Sequence, residues 1–520
     1  MGIAVGIDLG TSNSVVAAVV DGKPTVLADE EGRRIHPSVV AFGYGHSVVV
    51  GHRARQQLAY APENTVYSAK RLIGRRAESE EVDRIRRMVG WGVAAGPNGD
   101  ARVRVQGKVY AVQEISAHVL QHMKRIAEKA TGEQVDAAVI TVPAYFNDQQ
   151  RQATRDAATI AGLNCLRIIN EPTAAALAYG FGQGRRQHIA VYDLGGGTFD
   201  ISILRLDDDL FEVISTSGDT FLGGDDFDAA IADHLMAQLT HQAGVDLSDN
   251  AAAKTKLREA AERAKRALSE VEAVAVKVPG LGRDANGNPI GLQTKLDQHT
   301  VQRLVMPLIQ RSFVVCDDAL NQASLTPRQI DEVLLVGGMT RFPLIREAVG
   351  HYFGKSANVN LNPDEVVSLG AAVQAHHLTS YSESPGAVLL DVTPQTLGIR
   401  TVGGFVESII PRNTPIPTQE SKVFHTAQDG QTEVRIQVFQ GESRMAADNE
   451  LLGEFVLSGL EPAARGQNKV RVTFAIDADG IVKVSATDQR TAKYVDMLIE
   501  ASSNLSEDEV QDMKFDDLGF

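Results

Sequence analysis

Short apolar runs alternate with amphipathic stretches over roughly the first 380 residues of the chain. Runs rich in β-branched residues predict buried strands, and these are residues 3–9, 137–142, 188–194 and 332–337. Apolar residues three or four positions apart predict amphipathic helices, and these are residues 115–130, 148–161 and 251–272. Strands and helices that alternate in this way are typical of an α/β domain.

The hydrophobic pattern changes after Ala375. A polar stretch at 380–386 is followed by a short apolar strip at 387–391. From Thr393 to about Ala501, apolar and polar residues alternate with a period of two, and turns rich in glycine, asparagine and aspartate interrupt the alternation. This pattern predicts a separate all-β domain with the character of a sandwich.

One segment of the chain is repeated. Residues 3–11 and 189–198 share an apolar run followed by aspartate, leucine and glycine, and superposing Asp8 on Asp193 gives an offset of 185 residues. This offset is much longer than solenoid or propeller repeats. It therefore predicts a duplicated half-domain, with two similar lobes that face each other.

Each copy places a carboxylate at the end of a buried strand, just before a tight turn. Backbone N–H groups in such turns bind phosphate oxygens, and glycine lets a phosphate approach the chain. Asp8 and Asp193 would then face a hydrated Mg²⁺, which is held by carboxylates and retained waters. One copy alone would fit a hairpin turn with a capping aspartate, but two copies favour a phosphate site. A third turn, Gly337-Gly338, suits either a nucleoside or a plain strand-to-helix connection.

Composition narrows the class of protein. A chain of 520 residues is too long for one hydrophobic core. Its 66 acidic and 51 basic residues give a formal charge of −15, which disfavours nucleic-acid binding. Two cysteines, no apolar run long enough to span a bilayer and no signal-peptide pattern predict a soluble cytoplasmic protein without disulfides or membrane contact.

Other catalytic motifs do not occur in the sequence. GxxxxGKS and GxxxxGKT are absent, which excludes a P-loop ATPase, and so are HExxH and GxSxG. Residues 280–285 satisfy GxGxxA, but Asn286-Gly287-Asn288-Pro289 follows where a dinucleotide-binding fold requires a helix. That match is therefore interpreted as spurious.

Several longer motifs accompany the two glycine turns. They are Thr141-Val142-Pro143-Ala144-Tyr145-Phe146-Asn147-Asp148, Ile168-Ile169-Asn170-Glu171-Pro172-Thr173-Ala174-Ala175-Ala176, Gly218-Asp219-Thr220, Leu222-Gly223-Gly224 and Leu389-Leu390-Asp391-Val392-Thr393-Pro394. Together they closely resemble the seventy-kilodalton heat-shock (DnaK-like) chaperones, from Ile3 to about Met513. The resemblance implies an actin-like, two-lobed α/β ATPase domain at 1–383, an interdomain linker at 384–392 and a β-sandwich peptide-binding domain at 393–505.

For the ATPase domain the resemblance implies ATP or ADP with Mg²⁺, and K⁺ as a further candidate ion. Lys70, Glu171, Thr198, Asp8 and Asp193 match the catalytic residues, and Asp8, Asp193 and Glu171 would hold Mg²⁺ mainly through water. Lys70 would reach the γ-phosphate, where phosphoryl transfer needs positioning and charge neutralisation. The residues that match the nucleotide-binding positions are Gly10, Thr11, Ser12, Asn13, Gly195, Gly196, Gly197, Thr198, Gly223, Gly224, Glu262, Lys265, Arg266, Ser269, Gly337, Gly338 and Arg341. Without the resemblance, Lys70 would be one surface cation among many, and the charged positions of 251–272 an ordinary helix face.

The resemblance also implies that nucleotide state controls peptide binding. Pro143 and Arg151 match a switch and its relay, and Arg167 matches a contact for J-domain co-chaperones. A GrpE-type nucleotide exchange factor is a further implied partner. The residues that match a docking linker are Leu389, Leu390 and Asp391, and those that match a groove for extended apolar segments of unfolded polypeptides are Ile399, Thr401, Val402, Phe424, Ala427, Val434 and Ile436. Packing in a hydrophobic core would produce the same alternation in the β-domain.

The chain also departs from the family pattern. Phe221 stands where the family usually has His, Asp225 where it often has Glu, and Val402 where Met is common. Ser506-Glu507-Asp508-Glu509 is a capping box that predicts the start of a helix. Residues 514–520 do not continue that helix, so 506–520 are expected to be the truncated start of a helical lid.

Two other functions compete with a chaperone. An actin-like sugar or acetate kinase would share the ATPase fold, but it has no all-β domain such as residues 393–501. A nucleotide-dependent regulator or exchange factor would not need Lys70, Glu171 and Thr198, which are all present. The favoured hypothesis is an ATP-dependent molecular chaperone.

Overall fold

The computed structural model describes residues 2–43, 47–180, 186–207, 210–283, 287–380, 388–498 and 505–515. The polar break predicted at 380–386 lies outside these residues except for Ser380, as do positions 384–387 of the predicted linker.

Residues 2–180 form a first unit around one mixed sheet. Its strands are β1 (Ile3–Leu9), β2 (Asn13–Val20), β3 (Lys23–Val26), β4 (His36–Pro37), β5 (Val40–Phe42), β6 (Val48–Val50), β7 (Thr65–Val66), β8 (Gly92–Ala95), β9 (Ala101–Val105), β10 (Lys108–Ala111), β11 (Val135–Val142) and β12 (Asn164–Asn170). Its helices are α1 (His52–Arg55), α2 (Glu80–Met88), α3 (Val112–Thr131), α4 (Asp148–Ile160) and α5 (Glu171–Gly180). The main sheet has the order β12-β11-β1-β2-β3, with β4 also paired to β2, and β8–β10 and β5–β7 form two small sheets.

Residues 186–353 form a second unit around another sheet. Its strands are β13 (Arg186–Leu194), β14 (Phe199–Asp207), β15 (Leu210–Asp219), β16 (Ala273–Arg283), β17 (Pro289–Asp297) and β18 (Glu332–Val336). Its helices are α6 (Gly224–Ala243), α7 (Ala251–Ala267), α8 (Gln298–Gln322) and α9 (Pro343–Phe353). The next helix, α10 (Val366–Thr379), returns to the first unit and packs against α5, β1 and β2. These elements confirm the mixed α/β character that the hydrophobic pattern predicts.

The repeated segment occupies equivalent positions in the two sheets. β1 pairs in parallel with β11 and antiparallel with β2. β13 likewise pairs in parallel with β18 and antiparallel with β14. Asp8 and Asp193 therefore lie near the carboxyl ends of corresponding strands, so the predicted duplication has a structural counterpart.

Three predicted boundaries in the second unit differ from the structure. The strand predicted to begin at residue 188 begins at Arg186. The helix predicted at 251–272 ends at Ala267, because the side-chain amide of Gln298 donates to the carbonyls of Leu268 and Val271 and holds the chain in a turn there. The strand predicted to reach Gly337 ends at Val336, since Gly337 has a φ of 83° that a strand residue does not adopt.

The described residues of the C-terminal region form strands, one short α-helix and two 3₁₀ turns, Val402–Gly404 and Ala446–Asp448. Its strands are β19 (Val388–Val392), β20 (Leu397–Arg400), β21 (Val406–Ile410), β22 (Pro415–Ile416), β23 (Thr418–His425), β24 (Glu433–Gln440), β25 (Glu450–Ser458), β26 (Lys469–Ile476), β27 (Val482–Asp488) and β28 (Tyr494–Leu498). Two antiparallel sheets, β21-β20-β24-β25 and β23-β26-β27-β28, bury one shared core. The helix is α11 (Glu507–Asp512), and the predicted capping box is confirmed, because Ser506 and Glu509 exchange side-chain to backbone hydrogen bonds.

The apolar strip predicted as a linker is itself a strand. β19 pairs in parallel with β15, where Leu389 lies opposite Phe211 and Leu390 opposite Glu212. At its other end β19 pairs antiparallel with β22 of the C-terminal region. One six-stranded sheet, β18-β13-β14-β15-β19-β22, therefore includes strands from both sides of the strip.

Two large hydrophobic cores fill the first and second units. We call the cluster around Ile7, Leu72 and Leu120 the first core, and the cluster around Tyr192, Phe227 and Phe353 the second core. No helix within the described parts of the chain is both long enough and apolar enough to cross a membrane.

Candidate functional site

The first two glycine turns meet face to face between the units. A Cβ atom on Gly196 would collide with Oγ of Ser12, and one on Gly197 would lie 2.7 Å from Cγ2 of Thr11. Contacts this short leave no room for a side chain at either glycine unless Ser12 or Thr11 moves. The turn after β1 and the turn after β13 are therefore in direct contact through the side chains of Thr11 and Ser12.

The other two glycine turns close against the second one. A Cβ on Gly223 would lie 2.6 Å from the backbone of Gly196, and the Gly224 N–H donates to the Gly195 carbonyl at 2.9 Å. Gly337, after β18, approaches so closely that a Cβ there would be 2.8 Å from Oδ1 of Asp193. Four turns thus converge, and glycines occupy the positions at which the turns approach one another.

A buried ion pair lies at the end of β1. Lys70 is 6% exposed, and its Nζ is 3.0 Å from Oε1 of Glu171 and donates to the Leu9 carbonyl at 2.5 Å. Lys70 belongs to a short 3₁₀ turn at Ala69–Leu72, whereas Glu171 opens α5 immediately after β12 ends. Two distant segments therefore bring these charges to the carboxyl end of the central strand.

Three aspartates around this pair have raised pKa values. Burial, followed by the negative charge of Glu171, raises the pKa of Asp8 to about 7. The same two causes raise the pKa of Asp200 to about 8 and that of Asp193 well above its usual range. The positive charge of Lys70 lowers all three pKa values, but by less than burial and the neighbouring carboxylates raise them. The site has an excess of negative charge that a divalent cation would neutralise.

The donor set fits Mg²⁺ bound through water better than a directly ligated metal. Asp8, Asp193 and Glu171 converge on one region, as the mutual effects on their pKa values indicate. Within the described ranges, no three His, Cys, Asp or Glu side chains are grouped closely enough to hold one metal ion directly. Mg²⁺ commonly keeps several waters and takes only one or two carboxylates.

The remaining residues of the two predicted phosphate loops differ in how deeply they are buried. Thr11 is buried, Ser12 is half-buried, and Asn13 is exposed at the start of β2. A Cβ on Gly10 would collide with the carbonyl of Asn13. Thr198 is half-buried, and its carbonyl accepts from the Gly195 N–H at 3.1 Å.

Only some of the residues predicted to bind the nucleoside lie next to the glycine turns. Lys265 donates to the Gly224 carbonyl at 3.3 Å and pairs with Asp228 at 2.8 Å, which links α7 to the Gly223-Gly224 turn. Ser269 does not lie on the helix as expected, because α7 ends before it.

The other members of this set lie at the edge of the cleft. Glu262 pairs with Arg55 of the first unit, and the Arg266 side chain is 73% exposed. Arg341 binds Asp364 at 2.5 Å and also donates to Asn362, and a Cβ on Gly338 would lie 2.9 Å from the same Asp364.

Sequence reasoning missed a buried charge cluster beside Lys70. The Arg71 side chain is 1% exposed, and its Nη2 donates to Oδ2 of Asp226 at 2.9 Å and to the Gly196 carbonyl at 3.3 Å. Although burial alone would raise the pKa of Asp225, the charges of Arg258 and Arg71 hold it below its usual range. The only hint in the sequence is that Arg71 follows Lys70 and that two aspartates follow Gly223-Gly224.

The predicted coupling residues face the C-terminal region. Arg151 donates to the Ala144 carbonyl at 3.2 Å, to Oδ1 of Asn170 at 2.7 Å and to the Asp479 carbonyl at 3.3 Å. Pro143 is buried, and its carbonyl accepts from the Phe146 N–H at 3.1 Å. Nε of Arg151 also donates to the Phe146 carbonyl at 3.1 Å, so Phe146 connects Pro143 with Arg151.

Asp479 makes contacts that the sequence did not reveal. Its Oδ1 accepts from the Ile168 N–H at 3.1 Å and lies 4.0 Å from Nε of Arg167, and its other carboxylate oxygen pairs with Arg155. Arg167, predicted as a co-chaperone contact, thus lies beside the C-terminal region in this structure.

The predicted groove residues separate into buried and exposed groups. Ile399 and Ile436 are 4% and 2% exposed within the shared core of the two C-terminal sheets, and Phe424 and Val434 are half-buried against it. The Thr401 hydroxyl donates to the Phe405 carbonyl at 3.2 Å, and the N–H of the exposed Ala427 donates to Gln431 at 2.9 Å.

An exposed apolar patch extends beyond the predicted groove residues. Val402 is 82% exposed, and the sequence did not single out its neighbours Phe405 and Met445, which are 52% and 39% exposed. Phe405 and Met445 form an isolated antiparallel bridge. We call these three side chains the apolar patch.

Comparison with protein families agrees with this arrangement. A sequence model for the family described as Hsp70 protein matches residues 4–518. The match includes both glycine-turn sheets, the β19 strand and the paired C-terminal sheets, and it leaves only five residues of the chain unmatched. The chain therefore belongs to the Hsp70 protein family.

Proposed function

We propose that the chain is an ATP-dependent molecular chaperone that binds extended apolar segments of unfolded polypeptides. Residues 1–383 would form an actin-like, two-lobed ATPase domain, 384–392 the interdomain linker and 393–505 a β-sandwich for peptide. Hydrolysis in the first domain would control peptide affinity in the second. Membership of the Hsp70 family supports chaperone and ATPase activity in general, and the converging glycine turns and the pairing of β19 support this particular division of roles.

The converging glycine turns are the proposed phosphate site. Backbone N–H groups at Thr11–Asn13 and Gly196–Thr198 would bind phosphate oxygens, Gly195 would allow the turn, and Gly223 and Gly224 would approach the phosphates from the side. Lys70 would neutralise charge that develops on the transferred phosphoryl group, and Glu171 and Thr198 would orient the attacking water. Mg²⁺, held through water by Asp8, Asp193 and Glu171, would supply further neutralisation of phosphate charge.

The nucleoside would lie between α7 and the turn after β18. Glu262, Lys265 and Ser269 are proposed to contact the ribose and base, together with Gly337 and Gly338. Arg266 and Arg341 would stack on the base through cation–π contacts, which stabilise a planar ring between guanidinium groups. The 73% exposure of the Arg266 side chain leaves it free to rotate onto a base.

The β19 strand is the observation that carries the proposed coupling. It is hydrogen-bonded to β15 of the second unit and to β22 of the C-terminal region. Asp391 in this strand also binds Thr173, two residues after Glu171. A change at Glu171 during hydrolysis would therefore act on the strand that connects the two domains, with Pro143 and Arg151 as a second route.

Peptide is proposed to bind at the sheet that contains β20 and β24. An extended chain would form backbone hydrogen bonds there and place side chains against Val402, Phe424, Ala427, Val434 and Thr401. Ile399 and Ile436, which are buried, would form the floor. J-domain co-chaperones at Arg167 and a GrpE-type exchange factor are the proposed protein partners, K⁺ is a further candidate ion, and the cytoplasm is the proposed location.

Single-turnover ATP hydrolysis is the experiment that tests this function. We expect slow hydrolysis by the chain alone and several-fold faster hydrolysis with an apolar heptapeptide. A heptapeptide of the same length made of Asp and Gly is the matched control and should not accelerate it. ATP binding without hydrolysis would instead favour a regulator or exchange factor, and transfer of phosphate to a sugar or acetate would favour a kinase.

A further inference from the structure

Phe221 and Leu222 are consecutive residues that pack into different hydrophobic cores. Phe221 is 8% exposed and belongs to the first core, whereas Leu222 is fully buried in the second core. Both residues lie in the connection between β15 and α6, which are elements of the second unit. The second unit therefore inserts one aromatic ring into the first unit, immediately before the glycine turn Gly223-Gly224.

Three arginines of the first unit surround this ring. The guanidinium carbons of Arg71, Arg75 and Arg84 lie 5.7, 6.0 and 5.7 Å from the ring centroid of Phe221. Guanidinium groups at this distance are attracted to the face of an aromatic ring. Arg75 also donates to Oγ1 of Thr220 at 3.1 Å, so this arginine contacts both Thr220 and the neighbouring Phe221.

One of these arginines reaches the candidate phosphate site. Arg71 follows Lys70 directly, and its Nη2 donates to the Gly196 carbonyl at 3.3 Å and to Asp226 at 2.9 Å. Asp226 in turn accepts from the Gly223 N–H at 2.8 Å. The ring of Phe221 thus lies against a guanidinium that connects the turn at Gly196 and the turn at Gly223 to the segment that carries Lys70.

We propose that Phe221 is a positioning residue that holds the two units closed over bound nucleotide and keeps Arg71 in contact with Gly196. This inference rests on the proposed function, because it assigns Phe221 to the retention of the nucleotide that the cleft would bind. Separation of the units would withdraw the ring from the first core and expose it to water, which is unfavourable. Nucleotide release, which requires the units to separate, is therefore slowed by this one side chain.

The experiment measures dissociation of a fluorescent ADP analogue and single-turnover hydrolysis in the full chain. Phe221→Ala should accelerate ADP dissociation about tenfold with little change in association, because interactions that must break for the units to separate act mainly on off-rates. Phe221→Leu, which keeps an apolar side chain in the first core but has no ring, should restore most of the retention. Phe353→Leu is the matched control, since it alters a buried ring of the second core that is not among the first-core residues.

Arg84→Ala keeps the test decisive if Phe221→Ala does not fold. Arg84 is exposed on α2, so its removal takes away a cation–π partner without opening a cavity. It should accelerate ADP dissociation about threefold, and in Phe221→Ala it should add nothing further. Folding of each variant is checked by its thermal unfolding midpoint.

Two results would overturn the proposal. One is a folded Phe221→Ala chain whose ADP dissociation is within about twofold of the unmodified chain, and the other is an equal acceleration in Phe353→Leu. Failure of the unmodified chain to bind ADP at all would overturn the proposed function as well. Binding with an unchanged off-rate in Phe221→Ala would overturn the role of Phe221 alone.

Discussion

Thr173 donates a hydrogen bond from its hydroxyl to Oδ2 of Asp391 at 3.1 Å. Thr173 lies in the first turn of α5, two residues after Glu171, whose carboxylate pairs with Lys70. Asp391 lies in β19, the strand that pairs with β15 and β22. One helical turn therefore connects the buried ion pair to the strand between the proposed domains.

Replacing Thr173 tests whether this hydrogen bond carries the coupling. Thr173→Val keeps the shape of a buried side chain but removes the hydrogen-bond donor. Loss of this bond should cost about 1 kcal/mol, which shifts the equilibrium between docked and undocked β19 about fivefold toward the undocked state. Peptide should then stimulate ATP hydrolysis less, while the basal rate stays measurable. Thr240→Val is the control, because its hydroxyl bonds to Met236 within one helix. Equal loss of stimulation in both variants would contradict the role of Thr173.

Lys70→Ala should separate ATP binding from ATP hydrolysis. Many backbone groups would share ground-state binding, whereas Lys70 would act on charge that develops in the transition state. We expect single-turnover hydrolysis to fall about a hundredfold or more, with a much smaller change in ATP affinity. Lys129→Ala removes an exposed lysine that pairs with Glu30, and it should leave both quantities unchanged. Near-normal hydrolysis in Lys70→Ala would refute its catalytic assignment.

Charges placed in β19 should uncouple the domains. Leu389 packs against a hydrophobic core that includes Phe211, and both leucines are half-buried. Leu389→Asp/Leu390→Asp would place carboxylates without partners at these half-buried positions. Because this is unfavourable, β19 should no longer dock. Hydrolysis should persist but lose its response to peptide. Val388→Asp is the matched control in the same strand, where the side chain is 51% exposed. A full peptide response in the double variant would mean that the strip is a passive connection.

Strand positions can be predicted because local sequence determines them. β1 has the predicted bounds, and both Asp8 and Asp193 lie at the strand ends where the repeated segment places them. The end of α7 cannot be predicted, because it depends on Gln298, about thirty residues further along the chain, which binds the carbonyls after Ala267. Local helical periodicity contains no information about such a contact.

Long-range packing also explains the site residues that the sequence did not reveal. Arg71 and Phe221 are separated by 150 positions and meet only because the two units close on each other. Asp479 looks like an ordinary turn residue until the C-terminal region contacts Ile168 and Arg155. The family resemblance implies a linker at 384–392, but the pairing of Val388–Leu390 with β15 depends on a strand that lies far away in the sequence.

The pH dependence of stability should contain a contribution from Asp148. Its Oδ1 accepts from the Val482 N–H at 2.6 Å in the C-terminal region, while its Oδ2 is buried without a partner. Burial raises the pKa of Asp148 to about 7 from an ordinary value of 3.8. The folded chain therefore binds more protons than the unfolded chain between these values. This group lowers the free energy of unfolding as pH rises through that window, by at most about 1.4 kcal/mol per pH unit.

Asp148→Asn isolates this contribution. The amide keeps an acceptor for the Val482 N–H and, like the protonated acid, carries no charge. The free energy of unfolding of the variant minus that of the unmodified chain should grow from pH 5 to pH 7 and then become constant. Urea unfolding at each pH gives both values. A difference that is independent of pH would show that Asp148 stays ionised at the interface.

The apolar patch offers a test of peptide binding that leaves the shared core intact. Val402, Phe405 and Met445 are all exposed, and a Cβ on Gly403 would lie 3.2 Å from the Phe405 ring, so the turn at Val402–Gly404 lies beside that ring. Exposed apolar side chains in one cluster commonly mark a binding surface. Truncation of these side chains would remove contacts with a bound peptide and would cost the free chain little stability.

Val402→Ala/Phe405→Ala should therefore accelerate dissociation of a labelled apolar heptapeptide about tenfold and change its association less than about threefold, because truncated interface side chains act mainly on off-rates. Stopped-flow anisotropy in the presence of ADP gives both rates. Val423→Ala is the control, since Val423 is also exposed, at 38%, but belongs to β23 in the other sheet. ATP should accelerate release from all three chains if opening of the sheet governs release. If the control releases peptide as fast as the double variant, or if the double variant retains peptide as long as the unmodified chain, peptide does not bind at the apolar patch.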